Sequence, residues 1–279
     1  MARVRVITDS ACDLPEEIAR RLEVDIVSLN IRFGDEEFTD RVDLQPGEFW
    51  AKCKGAKTLP ATSAPSPGAF QAAYQRAIDD GCDGVIVLTL SALLSATHQS
   101  ASVAAEAMAG RLDVRIIDTK AVSMAEGLLV IDVAEAAQRN LDLDQLVAHV
   151  ERLLPRVGVI AMLDTLEHLI KGGRIGGAKA LLGQVLSIKP LLELKDGVVA
   201  EAGRQRTKAK ALAAIVEVVR AKAPLARLAL IHGASGEVAT LEALITELEV
   251  THPLVIADMG PTVGTHGGPG IIGLCWIEA

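Results

Sequence analysis

Short apolar runs alternate with amphipathic segments along the chain, and this pattern predicts an α/β protein. Residues 84–89 (Gly-Val-Ile-Val-Leu-Thr) form an uninterrupted, β-branched run. A run of this kind is typical of a parallel strand that is buried on both faces. Further runs predict strands at residues 3–8, 26–33, 37–39, 114–118, 157–162, 188–194, 225–232, 254–257 and 271–277.

Helices are predicted between these strands from capping residues, prolines and apolar spacing. Asp13 is expected to cap a first helix that contains Pro15, and Ser66 precedes Pro67 at the start of a helix that runs to residue 80. The other predicted helices cover residues 45–54, 95–109, 124–138, 143–154, 166–171, 178–187, 207–222 and 237–249.

The alternation of strands and helices indicates mostly parallel sheets flanked by helices. A second unit is predicted to begin near Pro155. With 279 residues the chain is long enough for two domains, which we place at residues 1–155 and 156–279.

Composition removes several classes of protein from consideration. The net charge of -8 and the aromatic content of 3% argue against a nucleic-acid binder. The four cysteines form no C-x-x-C pair, which argues against zinc and disulfide frameworks and favours a reducing compartment. Early charged residues leave no room for a signal peptide, and no apolar run approaches the roughly 18 residues of a membrane helix. We therefore expect a cytoplasmic protein without a metal or cofactor.

Hydroxyl side chains gather where the strand at residues 84–89 gives way to a helix. Ser91, Ser95 and Thr97 occupy this junction. Free N–H groups at a helix start favour an anion, so the junction suits a carboxylate or phosphate. The alternative is that Ser95 or Thr97 only caps the helix.

Two other stretches carry candidate ligand-binding residues. Residues 58–67 contain three prolines, which hold Thr62 and Ser63 in an extended loop. Residues 259–270 contain five glycines around His266, and a loop this rich in glycine allows close approach of a ligand. Each stretch also has a plain structural interpretation, as a connecting loop or a structural histidine. Because strand exits of a parallel sheet meet at one edge, Thr62, Ser95 and His266 are expected to converge on a carboxylate or phosphate.

Basic residues concentrate in two places in this acidic chain. Residues 171–177 (Lys-Gly-Gly-Arg-Ile-Gly-Gly) are similar to a phosphate loop, but the G-x-x-x-x-G-K-[ST] spacing fails because Ala178 follows Gly177. Residues 204–210 include Arg204 and Arg206. This second cluster is either a solvated helix start or a docking surface.

Taken together, these motifs resemble the DegV family of bacterial fatty-acid-binding proteins over the whole chain. The motifs that carry the resemblance are Thr8-Asp9-Ser10, Thr62-Ser63-Ala64-Pro65-Ser66, residues 90–97, Lys171-Gly172-Gly173-Arg174 and residues 264–270. Two positions depart from the family pattern, since Ala64 replaces the usual Gln and Ala96 the usual Gly. Both departures bear on the shape of the pocket and on lipid preference.

The resemblance implies a two-domain α/β fold with one fatty acid between the domains. It implies that Thr62 and Ser95 bind the carboxylate with His266 nearby, and Ser63, Thr97 and Thr265 complete the expected ligand-binding set. It also implies a separate kinase that phosphorylates the bound acid, whose acyl phosphate enters phospholipid synthesis. In this hypothesis Arg206, Arg204 and Arg174 dock the kinase, and the protein itself is not the catalyst.

Two other functions remain open at this point. One is a phosphotransferase subunit that uses His266 on a small substrate, which the absence of a convincing nucleotide loop disfavours. The other is a regulatory protein that senses a small acid.

Overall fold

The N-terminal half of the chain builds a parallel sheet of four strands. In the computed structural model, residues 3–56, 58–181 and 188–279 are described. The strands lie in the order β2 (Asp25–Val27), β1 (Val4–Asp9), β6 (Gly84–Thr89) and β7 (Asp113–Asp118). Every residue of β6 is buried, as its apolar sequence predicts. The parallel connections are made by helices, since a short turn cannot join two parallel strands.

Six α-helices lie in the described residues of this half of the chain. They are α1 (Glu16–Arg21), α2 (Pro46–Gly55), α3 (Pro67–Asp79), α4 (Thr97–Glu106), α5 (Met124–Gln138) and α6 (Leu143–Leu153). Helix α3 starts as its sequence predicts, because the Ser66 side chain accepts a hydrogen bond from the backbone N–H of Ala69 and Pro67 is the first helical residue.

The C-terminal half builds a sheet of six strands. Their order is β10 (Val198–Gln205), β9 (Lys189–Lys195), β8 (Val157–Met162), β13 (Ile272–Glu278), β11 (Leu225–His232) and β12 (Val255–Asp258). The predicted α/β class is confirmed, but among the described residues only the β11–β12 pair of this sheet is parallel. The direction differs from the predicted mostly parallel pairing because β13, the last strand, lies between β8 and β11 and pairs antiparallel with both.

A small antiparallel sheet carries the stretch that contains Thr62. Its strands are β4 (Glu36–Thr39), β3 (Asn30–Phe33) and β5 (Ala61–Ser63), and α2 packs near them through Phe49 and Trp50. Thr62 was predicted on an extended loop but lies on β5, opposite Ile31. The prolines keep this segment extended, and pairing with β3 turns the extension into a strand.

Helix α5 lies in the core between the parallel sheet and the six-stranded sheet. It packs against β1 and β6 on one side and against β8, β11 and β13 on the other. Eleven of its fifteen residues are buried, which explains why its sequence is apolar on every face. On β11, the buried Arg227 donates to Asp132 at 2.7 Å and to Glu135 at 2.5 Å, both on α5. The helix therefore joins the two halves, and the boundary at residue 155 stays a prediction.

Four shorter helices complete the C-terminal half within the described residues: α7 (Glu167–Lys171), α8 (Lys208–Arg220), α9 (Val238–Leu244) and α10 (Pro261–Gly267). The presence of α10 corrects the loop predicted at residues 259–270. A 3₁₀ turn at Gly176–Leu181 replaces the start of the helix predicted at residues 178–187, and residues 182–187 lie outside the described part. Among the described residues, no helix is both long and apolar enough to cross a bilayer.

Two predicted helix caps are wrong. Pro15 takes the capping position of α1, and Asp13 is buried instead, where it accepts a hydrogen bond from the backbone N–H of Gly260. At α4 the capping residue is Ala96, so neither Ser95 nor Thr97 caps the helix through its side chain. Asp13 has tertiary partners that compete with the local cap, whereas the hydroxyls of Ser95 and Thr97 bond each other.

We expect Leu129→Ala on α5 to lower the free energy of unfolding by about 2–5 kcal/mol, because Leu129 is fully buried in the core and truncation leaves a cavity. The matched control is Leu244→Ala, since Leu244 is 40% exposed; its cost should be about 1 kcal/mol or less. Urea denaturation of both variants measures the difference. Equal losses would show that α5 does not have the central place in the core described above.

Candidate functional site

A largely aliphatic cavity lies among residues from both halves of the chain. It measures about 120 Å³, which is roughly ten times the space that one water molecule needs. Its apolar lining includes Leu94, Val159, Ala161, Leu192, Ile231 and Val263. No Phe, Tyr or Trp side chain contributes to this lining in the described part of the chain. Walls of mostly aliphatic side chains suit a flexible hydrocarbon chain better than a planar ligand.

Thr62 and His266 are joined at the wall of this cavity. Thr62 Oγ1 and His266 Nε2 are 2.9 Å apart, although the residues are separated by 204 positions in the sequence. Ser95 lines the same cavity, so the structure brings together the three residues expected to converge. They reach it from β5, from the turn before α4 and from α10, and not from three exits of one sheet.

The other sequence-predicted residues have different positions. Thr97 is buried and lies behind Ser95, with its Oγ1 atom 2.9 Å from Ser95 Oγ. Ser63 is exposed on β5, and Thr265 is buried with its Oγ1 atom unpartnered among the described residues. None of these three side chains is part of the described cavity lining. Thr97 can orient Ser95, whereas Ser63 has no contact with the site.

Arg174, which the sequence grouped with the docking residues, lines the cavity. Its Nε atom donates to the carbonyl of Leu94 at 3.2 Å, and one terminal nitrogen donates to the carbonyl of Gly172 at 2.6 Å. These bonds hold the guanidinium between the Ser95 turn and His266. The signal that could have found it is the Gly172-Gly173 pair, because glycine marks a place where other groups approach closely.

Gly172 provides the space for the imidazole ring. A Cβ atom at this position would lie 2.2 Å from His266 Nδ1, so any larger residue would displace the ring. This contact explains the glycine at the end of α7. Arg204 and Arg206, in contrast, are exposed at the end of β10 and before α8, and they are not among the described lining residues. Arg204 Nε donates to Glu201 at 2.9 Å.

His266 is uncharged at neutral pH. Burial, followed by the positive Arg174 and by His168, lowers its pKa to about 4. The Nδ1 atom has no hydrogen-bond partner among the described residues, which favours the proton on Nε2, since an unpartnered buried N–H is rare. In that tautomer His266 donates to Thr62 Oγ1, and the Thr62 hydroxyl is free to donate into the cavity. With Ser95 and Arg174 it can bind one carboxylate.

The chain is similar to known proteins along nearly its whole length. A sequence model of one family, described as uncharacterised proteins of the DegV family, matches residues 3–279. A DegV domain-containing protein of Listeria monocytogenes is 34% identical over 281 residues, which cover 98% of each chain.

Two solved structures are similar along the whole chain. One is described as showing fatty-acid binding of a DegV family protein from Thermus thermophilus; it has a TM-score of 0.91 and 34% identity, and the match covers 99% of this chain and all of that one. The other, DegV of Bacillus subtilis, is described as a fatty-acid-binding protein and has a TM-score of 0.90 with 28% identity over both full chains. The two-domain α/β fold implied by the resemblance is thereby confirmed.

We expect His266 to make the lipid-free protein sensitive to acid. Its pKa is 6.5 when unperturbed and about 4 in the fold. Between these values the unfolded chain binds more protons, so the free energy of unfolding falls as the pH falls through this window. Wild type should lose about 2 kcal/mol more than His266→Gln between pH 7 and pH 4.5.

Urea denaturation at the two pH values makes this measurement. The raised pKa values of Asp9, about 7, and Asp40, about 6, have the opposite effect on stability, but they act in both proteins and cancel in the comparison. Equal losses in wild type and His266→Gln would show that the imidazole is not buried in its neutral form.

Proposed function

Because this chain belongs to the DegV family, we propose that it binds one long-chain fatty acid between the units at residues 1–155 and 156–279. The carboxylate is bound by Thr62, Ser95 and Arg174, with His266 behind Thr62. The acyl chain lies along the aliphatic wall. The observation that carries the proposal is the Thr62–His266 hydrogen bond at the wall of an aliphatic cavity.

Arg174 is the one cationic side chain among the described lining residues, and it provides the positive charge that a carboxylate requires. It lies between Ser95 and His266, because its guanidinium bonds the Leu94 carbonyl beside Ser95 and the Gly172 carbonyl beside His266. A guanidinium can pair bidentately with a carboxylate, and the hydroxyls of Thr62 and Ser95 add charge-assisted hydrogen bonds. We therefore assign Arg174 to the residues that bind the ligand and no longer to those that dock the kinase.

The hydrocarbon chain provides most of the binding free energy. Each methylene group that leaves water contributes about 0.8 kcal/mol, so a long acyl chain contributes on the order of 10 kcal/mol before the cost of association. The similar proteins from Thermus thermophilus and Bacillus subtilis are both described as fatty-acid binding. Their full-length similarity supports the same ligand class here.

We further propose that the bound acid is presented to a separate kinase in the cytoplasm. A carboxylate oxygen attacks the terminal phosphorus of ATP on the kinase, ADP leaves, and the acyl phosphate enters phospholipid synthesis. This protein then binds and presents the substrate and does not catalyse the transfer. Exposed Arg206, with Arg204 beside it, provides positive charge for an acidic surface of that kinase. The four free cysteines suit a reducing compartment.

We expect the double variant Thr62→Ala with Ser95→Ala to weaken palmitate binding by roughly a hundredfold, since each hydroxyl donates one hydrogen bond to a charged group. Isothermal titration with delipidated protein measures the affinity. The matched control is Thr246→Ala with Ser102→Ala, because both of those hydroxyls bond only the backbone of their own segment. Palmitate binding of normal strength by the first variant would place the carboxylate elsewhere.

We expect Arg206→Ala to lower acyl-phosphate formation by the partner kinase and to make the remaining rate less dependent on salt. Its affinity for fatty acid should barely change, because Arg206 is not among the lining residues described for the cavity. Arg220→Ala is the control, since Arg220 ends α8 about 20 Å away along the helix axis. If lipid binding and phosphorylation fall together in Arg206→Ala, the docking assignment is wrong.

A further inference from the structure

A buried hydrogen-bond cluster surrounds the first turn of α10, the helix that carries His266. The backbone N–H of Gly260 donates to Asp13 Oδ1 at 2.7 Å. The backbone N–H of Thr262 donates to Asp40 Oδ2 at 3.3 Å, and the Thr262 hydroxyl donates to the same oxygen. The two carboxylates lie 247 and 222 positions earlier in the sequence. The start of this short helix is therefore held by the N-terminal half of the chain.

Both carboxylates are themselves fixed by further donors. The Ser123 hydroxyl donates to Asp13 at 2.6 Å, and Arg41 donates to the same carboxylate at 3.2 Å. The Ser10 hydroxyl donates to Asp40 at 2.8 Å. Arg41 also donates to the carbonyl of Asp258, just before α10, at 3.1 Å. Asp13 and Asp40 are buried, so water does not compete for these bonds.

The backbone around this cluster is strained at three positions. Asp13, Arg41 and Ser123 have φ angles of 53°, 60° and 57°, a left-handed conformation that is unfavourable for residues with a side chain. A Cβ atom on Gly260 would lie 2.9 Å from Arg41 Nε and 3.0 Å from Asp13 Oδ1, so a larger residue here would displace one of the two side chains that hold the cluster. Strain of this kind persists where surrounding contacts hold it in place, and it is concentrated at functional sites.

The cluster is next to the proposed lipid site. Thr262 and Ser123 both line the cavity, and His266 lies one turn of helix after Thr262. The helix has only seven residues, about 10 Å, so its orientation at one end determines where the imidazole lies at the other. The position of the imidazole ring is tightly constrained, because the ring bonds Thr62 on one side and contacts Gly172 on the other.

We infer that Asp40 and Asp13 are positioning residues for the carboxylate site: they hold the start of α10 so that His266 bonds Thr62. This inference rests on the proposed function. It separates two parts of binding, because the aliphatic wall needs no help from these carboxylates whereas the head-group site does. Loss of Asp40 should therefore weaken recognition of the acid head group and leave binding of the hydrocarbon chain intact.

The test compares palmitate with hexadecanol, which has the same chain length and no carboxylate. We expect Asp40→Ala to weaken palmitate binding by about tenfold, as for one lost set of buried hydrogen bonds. Hexadecanol affinity should stay within about twofold. Asp40→Asn keeps an oxygen that accepts the Thr262 hydrogen bonds, so it should restore most of the preference for the acid.

The control is Asp132→Ala, which removes a different carboxylate that also joins the two halves; Asp132 is partly buried on α5 and bonds Arg227 and His149. It should leave the ratio of the two affinities unchanged. If Asp40→Ala leaves the ratio of the palmitate and hexadecanol affinities unchanged, whether both ligands bind more weakly or neither does, the inference is overturned. Wild type that does not prefer palmitate to hexadecanol would instead contradict the proposed function.

A second measurement does not depend on lipid. In ¹⁵N spectra of histidine side chains, wild-type His266 should remain neutral well below pH 6, and in Asp40→Ala it should titrate closer to its ordinary pKa because the ring leaves its buried position. An unchanged His266 titration in a folded Asp40→Ala variant also overturns the inference. If that variant does not fold, Thr262→Val tests the same bond from the other partner, with Thr262→Ser as the variant expected to restore it.

Discussion

The hydrogen bond between Thr62 and His266 depends on three separate parts of the fold. Pairing of β5 with β3 places the threonine, and the absence of a side chain at Gly172 gives the imidazole its space. The first turn of α10, held by carboxylates from the other half of the chain, orients the histidine. Burial, followed by the positive Arg174, keeps the imidazole neutral, so Nδ1, which has no hydrogen-bond partner among the described residues, carries no proton.

Most elements could be predicted from the sequence because their signals are local. Helices at residues 124–138 and 143–154 and the strand at residues 84–89 follow from apolar spacing and length, and the structure has them within one residue. The direction of the strands in the second sheet could not be predicted in this way. Periodicity reports which faces are buried, and it is the same for parallel and antiparallel pairing.

The site was predicted in part, and the misses have one physical cause. Thr62 was identified from the proline-rich stretch, Ser95 from the hydroxyl cluster between a strand and a helix, and His266 from the glycine-rich stretch, and all three line one cavity. Asp13 and Arg174 have ordinary local interpretations, as a helix cap and as a surface charge, and only tertiary contacts give them other partners. The glycines near His266 predicted a loop, but this segment forms the short helix α10. Neighbouring side chains occupy the space that Cβ atoms on Gly264 and Gly267 would need, and this close packing is what the glycines permit.

Helix α5 belongs to the hydrophobic core of both larger sheets, and Arg227 of the second sheet has its carboxylate partners on that helix. A chain that began after residue 155 would leave the apolar sheet face that packs on α5 exposed to water, and Arg227 would lose the two carboxylates that pair with it. The two halves therefore cannot be exchanged like modules between related proteins. The boundary separates two sheets, but the stability of each half depends on contacts with the other half.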